Sequence, residues 1–160
     1  MLIDIKSISR SRGASLTIET ENGPEELSSD LKEYKLTRPL VFKGKLQNSG
    51  EGIMTLTGQI RTAYSGECAR CLTRVELEVD LPLVETFRLS EIAGSQLIDE
   101  NYWYSGMVVD ISQAIRDNLL LAMPQRLLCR EDCKGLCPDC GSNLNNEDCG
   151  HAEMPRPPET

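Results

Sequence analysis

MTLTGQIRTAYSGECARCLTRVELEVDL, residues 54–81, holds two runs of alternating side chains around a Cys pair. In the first run Met54, Leu56 and Ile60 fall on one face and Thr55, Thr57, Gln59 and Arg61 on the other, with Gly58 keeping the inward register. After the Cys pair Val75, Leu77, Val79 and Leu81 alternate with Glu76, Glu78 and Asp80. A period of two is the signature of a strand with one buried and one wet face. The two runs therefore predict an antiparallel hairpin whose turn lies at residues 65–72, with Cys68 and Cys71 projecting from its tip.

Working outward, Met1–Ile5 and Ser15–Thr20 carry strand signals and are expected to pair with each other. Residues 21–30, ENGPEELSSD, predict an acidic surface loop or one short helical turn, and Leu40–Gln47 a third strand. A helix is expected over Ile111–Met123, with Asp110 as N-cap, Gln113 completing a capping box and Pro124 as the stop. Its stripe of Ile111, Ala114, Ile115, Leu119 and Ala122 recurs at helical spacing and should lie across the sheet. The predicted fold class is α+β: a twisted antiparallel sheet, open or curled into a barrel, with one main helix and a Cys-rich zinc module. Residues 1–123 form the β-rich domain, 124–151 a metal-binding module packed on the hairpin tip, and 152–160 a disordered tail.

The chain of 160 residues has seven Cys and one His. MLIDIK places Asp4 where a signal segment would be apolar, so the chain is expected to be cytoplasmic and its thiols reduced. Cys pairs at short spacing then bind metal. Cys68 and Cys71, Cys129 and Cys133, Cys137 and Cys140, and Cys149 with His151 make eight ligands, enough for two tetrahedral sites. Thiolate and imidazole favour Zn²⁺ over hard cations, and Gly141 supplies the positive φ that a Cys-x-x-Cys turn needs. Cys68 and Cys71 could instead be buried thiols or a redox pair, but a thioredoxin-type pair opens a helix and this one is flanked by strands. Two pairings are open. In one, Cys68, Cys71, Cys129 and Cys133 form the first site and Cys137, Cys140, Cys149 and His151 the second; in the other, the two Cys-x-x-Cys knuckles share one ion. A chain with little apolar material over 124–151 must be held by metal rather than by burial.

With 17 Lys plus Arg against 25 Asp plus Glu, the net charge of -8 excludes coating of nucleic acid by bulk electrostatics. Apolar runs fall short of a bilayer span. Any RNA contact must be local. Lys32, Lys35, Arg38, Lys43 and Lys45 stand against Glu33 alone, with Tyr34 and Phe42 interleaved as stacking groups. Around the first knuckle, Arg61, Arg70 and Arg74 stand against Glu67, with Tyr64 nearby. Both patches also fit an ordinary solvated surface. Closed four-ligand zinc sites and the lack of a spare histidine argue against catalysis.

The hairpin GECARCLTRVELEVDLPLVETF, the segment VVDISQAIRDNLLLAMP and the run CREDCKGLCPDCGSNLN with its later Cys resemble the bacterial YceD family, also called DUF177. The likeness spans roughly residues 50–151. Similar proteins tend to close the module with Cys-x-Cys, where this chain has Cys149 and His151. The resemblance implies a role in accumulation of 23S ribosomal RNA and in large-subunit biogenesis, through precursor rRNA, a ribosomal protein or an assembly factor, and with the residues arguing against catalysis that role is expected to be non-enzymatic. An alternative of another class is a redox-responsive zinc protein that acts through a protein partner. No small-molecule substrate and no membrane partner are expected.

Overall fold

The computed structural model describes residues 1–22, 35–90 and 102–151. In chain order the strands are β1 (Leu2–Asp4), β2 (Ser15–Asn22), β3 (Lys35–Gly50), β4 (Ile53–Glu67), β5 (Arg74–Leu89), β6 (Tyr102–Tyr104) and β7 (Val108–Asp110), followed by helix α1 (Ser112–Ala122). Five strands form one sheet in the order β2-β3-β4-β5-β6, and β1 and β7 form a separate pair. The described strands thus make two open sheets, and neither closes into a barrel. Nor is the larger sheet wholly antiparallel, because β6 runs parallel to β5 with Phe87 opposite Tyr102.

The alternation over 54–81 does mark two long strands, but the deepest positions of β5 lie beyond Leu81. Leu77 stays 37% exposed, whereas Leu83 and Phe87, on the same parity further along, are fully buried. β3 and β4 are joined through Gly50, Glu51 and Gly52, all at positive φ (94°, 55° and 71°). This left-handed turn folds the strands back on each other. Phe42 then covers two glycines on adjoining strands. A Cβ at Gly58 would lie 2.6 Å from the Lys43 carbonyl oxygen and 2.7 Å from the Phe42 ring, and one at Gly44 would run into the Thr57 carbonyl oxygen. Only glycine leaves room for the ring.

The expected pairing of the first two strands is replaced by two other pairings. Leu2 stands opposite Asp110 in β1·β7, and Glu19 opposite Lys43 in β2·β3. Between β1 and β2 the chain turns, with the Ser9 N–H donating to the Ile5 carbonyl at 2.8 Å, and buries Ile5 and Ile8. Strands of three residues are too short to declare a partner by alternation. The core collects Leu40, Phe42, Leu46, Leu56, Ile60, Leu83 and Phe87 from the sheet with Ile111, Ala114, Ile115 and Leu119 from the helix region. Ala122 stays exposed at the end of the stripe. α1 starts one residue later than expected: its N-cap is Ile111, without a side-chain cap. Asp110 still accepts the Ser112 N–H at 2.9 Å, from just outside the helix.

The chain divides into two compact units. One comprises Met1–Tyr64 and Leu77–Met123, the other Ser65–Glu76 and the chain from Pro124 on. The loop expected at 21–30 lies outside the described residues from position 23, as does the tail from position 152. Among the described residues no helix is long and apolar enough to cross a membrane.

Candidate metal centre

β4 ends at Glu67, and the next residues make a knuckle. The Leu72 N–H donates to the Cys68 carbonyl and the Cys68 N–H to the Thr73 carbonyl, both at 2.9 Å. The second Cys-x-x-Cys repeats these bonds: Gly141 N–H to the Cys137 carbonyl at 2.9 Å and Cys137 N–H to the Ser142 carbonyl at 2.8 Å. The residue after each second Cys has positive φ, 59° at Leu72 and 75° at Gly141. One turn is used twice, the second time with the expected glycine and the first time with a leucine, a conformation that costs a residue with a Cβ ~1–2 kcal/mol.

Cys129 and Cys133 reach the first knuckle. The Ala69 N–H donates to the Leu127 carbonyl at 2.8 Å, and the Leu136 N–H to the Arg70 carbonyl at 3.1 Å. The sulfurs of Cys68 and Cys133 then lie 3.8 Å apart and those of Cys71 and Cys129 3.6 Å. Disulfide sulfurs sit ~2.05 Å apart, whereas four sulfurs each ~2.3 Å from a central ion are ~3.8 Å apart at the edges of the tetrahedron. The spacing therefore fits a zinc tetrahedron and not a disulfide. Cys68, Cys71 and Cys133 are buried and pack with Val75, Leu128 and Leu136.

In the second group the ligand atoms of Cys137, Cys140, Cys149 and His151 also lie within 4.8 Å of one another. Here the fit shows in an orphaned atom. His151 Nδ1 is buried and has no hydrogen-bond partner among the described residues, a situation that costs ~1–3 kcal/mol unless the nitrogen ligates something. Of the two pairings open at the level of spacing, the structure groups the ligands in the first way, and the two knuckles stay in separate clusters.

The thiols show what a cation would relieve. Burial pushes the Cys68 thiol up, but the N–H groups of Arg70, Cys129 and Cys71 aimed at its sulfur bring it down to about 6. Burial and the three neighbouring sulfurs push Cys129 up to about 12. In the second group the Ser142 hydroxyl and N–H lower Cys140 to about 6. The His151 N–H lowers Cys149, but Cys137, burial and Cys140 outweigh it and raise the thiol. Each cluster can ionise in part on its own; complete ionisation calls for a positive charge among the sulfurs.

Two asparagines that spacing did not single out complete the first cluster. Asn145 Nδ2 lies 3.3 Å from Cys133 Sγ and 2.7 Å from Asn143 Oδ1. Its Oδ1 accepts from the Lys134 N–H at 2.9 Å and from Arg130 Nη2 at 2.7 Å. The only signal in the sequence was their place directly after a knuckle, in SNLNN.

The basic residues are mostly occupied. Arg38 pairs with Glu78 at 2.7 Å, Arg61 with Asp80 at 3.2 Å, and Lys43 with Glu19. Arg70 Nη1 donates to the carbonyls of Cys133 (2.9 Å) and Glu131 (3.3 Å), and Arg74 Nη2 to Ser65 Oγ at 2.9 Å. Lys35 and Lys45 are exposed on β3; Lys32 and Tyr34 lie outside the described residues. Phe42 is buried, which corrects its reading as a group on which bases could stack, and Tyr64, near the first knuckle, is buried too.

A family described as large ribosomal RNA subunit accumulation protein YceD matches residues 56–158. An uncharacterized protein of Mycobacterium tuberculosis (strain H37Rv) is 33% identical over 152 residues, covering 92% of this chain and 72% of its own length. An uncharacterized protein of Mycobacterium leprae is 26% identical over 148 residues, covering 90% and 67%. A chloroplastic protein of Arabidopsis thaliana, named large ribosomal RNA subunit accumulation protein YCED homolog 1, is 45% identical over 47 residues, 28% of this chain and 15% of that protein. No solved structure matches.

Proposed function

The chain belongs to the YceD family of large ribosomal RNA subunit accumulation proteins, and on that premise we propose that it is a non-enzymatic, zinc-stabilised factor that supports large-subunit rRNA accumulation in the cytoplasm. It does so by binding precursor rRNA or a protein of the assembling subunit. The observation that carries this reading is the pair of closed donor sets, four sulfurs in one and three sulfurs with one imidazole in the other. When bound, zinc supplies a cross-link in place of a hydrophobic core. All four positions of each set are filled by protein, so neither leaves the open coordination site that a hydrolytic zinc requires.

The chain's own residues hold those sets in place. The repeated knuckle bonds aim N–H groups at the thiolates, Arg70 ties the first knuckle to the Glu131–Cys133 carbonyls, and Asn145 seats on Cys133. Depletion of the protein in its host should lower the ratio of large- to small-subunit rRNA, and re-expression should restore it. Crosslinking in cells should recover large-subunit precursor RNA or one of its proteins. An unchanged rRNA ratio on depletion would reject the role.

Only Cys137 of the second cluster's four ligands is buried, against three of four in the first, and this favours a second reading, in which oxidation of the second cluster releases zinc and alters contact with a protein partner. Zinc release on mild peroxide treatment together with lost binding supports it; release with binding intact rejects it.

A further inference from the structure

Away from both clusters, the first unit carries a groove of about 350 Å³ between the turn after β1 and the β3–β4 turn. Met107, 46% exposed, and the half-buried Leu89 give it an apolar wall backed by the buried Ile5, Met54 and Tyr104, and Arg10, Arg12 and Glu51 line it with charge. Its volume falls in the range of sites that take one small-molecule-sized unit, ~300–1,000 Å³.

The loop that bears the two arginines is fixed by Asn48, which is 6% exposed. Asn48 Nδ2 donates to the Ile8 and Ser9 carbonyls, each at 2.9 Å, and its Oδ1 accepts the Gly50 N–H at 2.8 Å. Its backbone bonds the same loop again, accepting from the Gly13 N–H at 2.7 Å and donating to the Ala14 carbonyl at 2.9 Å. A buried side chain whose hydrogen-bonding groups are spent on two loops holds the groove open in advance of any ligand. Gly50 lies against the Arg12 side chain, where a Cβ would come within 3.1 Å of Arg12 Cδ. Gly106, also on the groove, has open space where a side chain would stand, so a backbone such as sugar-phosphate can approach closely.

In this acidic chain the described cations mostly have partners. Lys6, Arg38, Lys43, Arg61 and Arg130 each face a carboxylate, and Arg70 and Arg74 donate to protein oxygens. Arg10 and Arg12 have neither among the described residues. Two guanidiniums without a partner among the described residues, each able to grip phosphate in a bidentate fork, stand beside the apolar side chain of Met107.

We infer that this groove binds a nucleotide unit of single-stranded RNA, the phosphate on Arg10 and Arg12 and the base against the exposed side chain of Met107. The inference rests on the rRNA reading above and gives it a location. Neither Arg10 nor Arg12 belongs to the basic patches at 32–45 and 61–74. The same nucleoside monophosphate chemistry could come from a free nucleotide, and the ligand claimed is the RNA strand.

The test uses the full zinc-loaded chain and a fluorescein-labelled single-stranded oligoribonucleotide, with anisotropy read across a salt titration and AMP as competitor. The variant carrying Arg10→Ala and Arg12→Ala should bind at least ~10-fold more weakly, and its log–log salt slope should flatten by about 1.4, ~0.7 for each lost contact to a single strand. Glu51→Gln should tighten binding about 2-fold by removing the one carboxylate that lines the groove among the described residues, a gain that no unfolded variant could give. Arg126→Ala, exposed in the other unit, should change nothing. If the parent binds the RNA and the double variant and Glu51→Gln both bind as the parent does, the groove is not the site and the rRNA reading stands. If the parent binds AMP but not the RNA, or neither, the inference falls, and with neither bound direct RNA recognition falls with it.

Discussion

The guanidinium of Arg70 donates to the main-chain carbonyl of Cys133 at 2.9 Å, linking the two halves of a donor set whose members stand 65 residues apart in the chain at Cys68 and Cys133. A charged donor on a carbonyl contributes ~1.5–3 kcal/mol when shielded, and the exposure of Arg70 reduces this to about 1 kcal/mol. Arg70→Ala should therefore speed zinc loss from the first cluster to a competing chelator several-fold. Arg70→Lys should not restore it, because an ammonium cannot span the carbonyls of Glu131 and Cys133 as the fork does. Equal release rates in parent and alanine variant would show that the contact contributes nothing. The sequence reads Arg70 as a candidate RNA contact; in the structure its Nη1 donates to the Glu131 and Cys133 carbonyls.

Asn145 should matter more than Arg70, because its amide serves four partners: Cys133 Sγ, Asn143 Oδ1, the Lys134 N–H and Arg130. Removing it leaves the Lys134 N–H without its acceptor and a sulfur without its donor. Asn145→Ala is expected to destabilise the second unit by about 2 kcal/mol. Hydrogen exchange at the amides of Cys68–Leu72 and Cys129–Leu136 reads the effect locally. Protection unchanged in both segments would assign Asn145 no part in holding the cluster.

Arg70 and Asn145 act through contacts that residue spacing does not encode. Cys spacing carries the ligand set, because a metal site needs particular atoms at short range and the chain must repeat the knuckle to supply them. Period-two alternation carries the central hairpin for the same reason: it is local. Partners set by register are not local. That Lys43 would meet Glu19, directly opposite it, depends on how β2 slides along β3, and no spacing within either segment declares that. Three-residue strands such as β1, β6 and β7 hold too few residues to show a period, so the β1·β7 pairing and the parallel β5·β6 contact were invisible. Phe42 reads as an aromatic among lysines, and only the glycines on neighbouring strands explain why it turns inward.

Elemental analysis of the freshly purified chain should return two zinc ions. The two clusters should then respond differently to loss of one ligand. Cys68 is fully buried among Val75, Leu128 and Leu136, whereas Cys140 is exposed. Cys68→Ser should unfold the second unit, and Cys140→Ser should lose one zinc with the first cluster intact. One zinc in the parent, or equal loss of structure in the two variants, would contradict the two-site arrangement.

Acidity should act on the first cluster in two stages. In the metal-free chain Cys68, held down to about 6, is already thiolate at neutral pH, while Cys129, pushed up by burial and its sulfur neighbours to about 12, is still protonated. Zinc uptake must expel the Cys129 proton, so affinity should rise with pH through the neutral range. For Cys68 the folded value lies below the ordinary ~8.5; the stability it contributes is present above that value and lost as pH falls through about 6. The fall in zinc affinity should accordingly steepen below about 6, as a second sulfur begins to bind protons. Chelator competition between about pH 5 and pH 8 measures both stages, and an affinity independent of pH would exclude thiolate ligation.

The sheet offers a test that is independent of metal. A methyl group at Gly58 would meet the Lys43 carbonyl at 2.6 Å and the Phe42 ring at 2.7 Å. The carbonyl belongs to the neighbouring strand and cannot move without disturbing the sheet. Gly58→Ala is expected to destabilise the first unit by about 2 kcal/mol, a fall in melting temperature of roughly 5 °C. Phe42→Leu alone should also destabilise, because Phe42 is fully buried in the core and its loss leaves a cavity over both glycines. The two changes touch the same space, so their effects should not add: the double variant should be more stable than the sum of the singles requires, by about 1 kcal/mol. Thermal melts of the four proteins decide it. Strict additivity would mean that the Phe42 ring does not occupy the space above Gly58, and the glycine would then be needed for the Lys43 carbonyl alone.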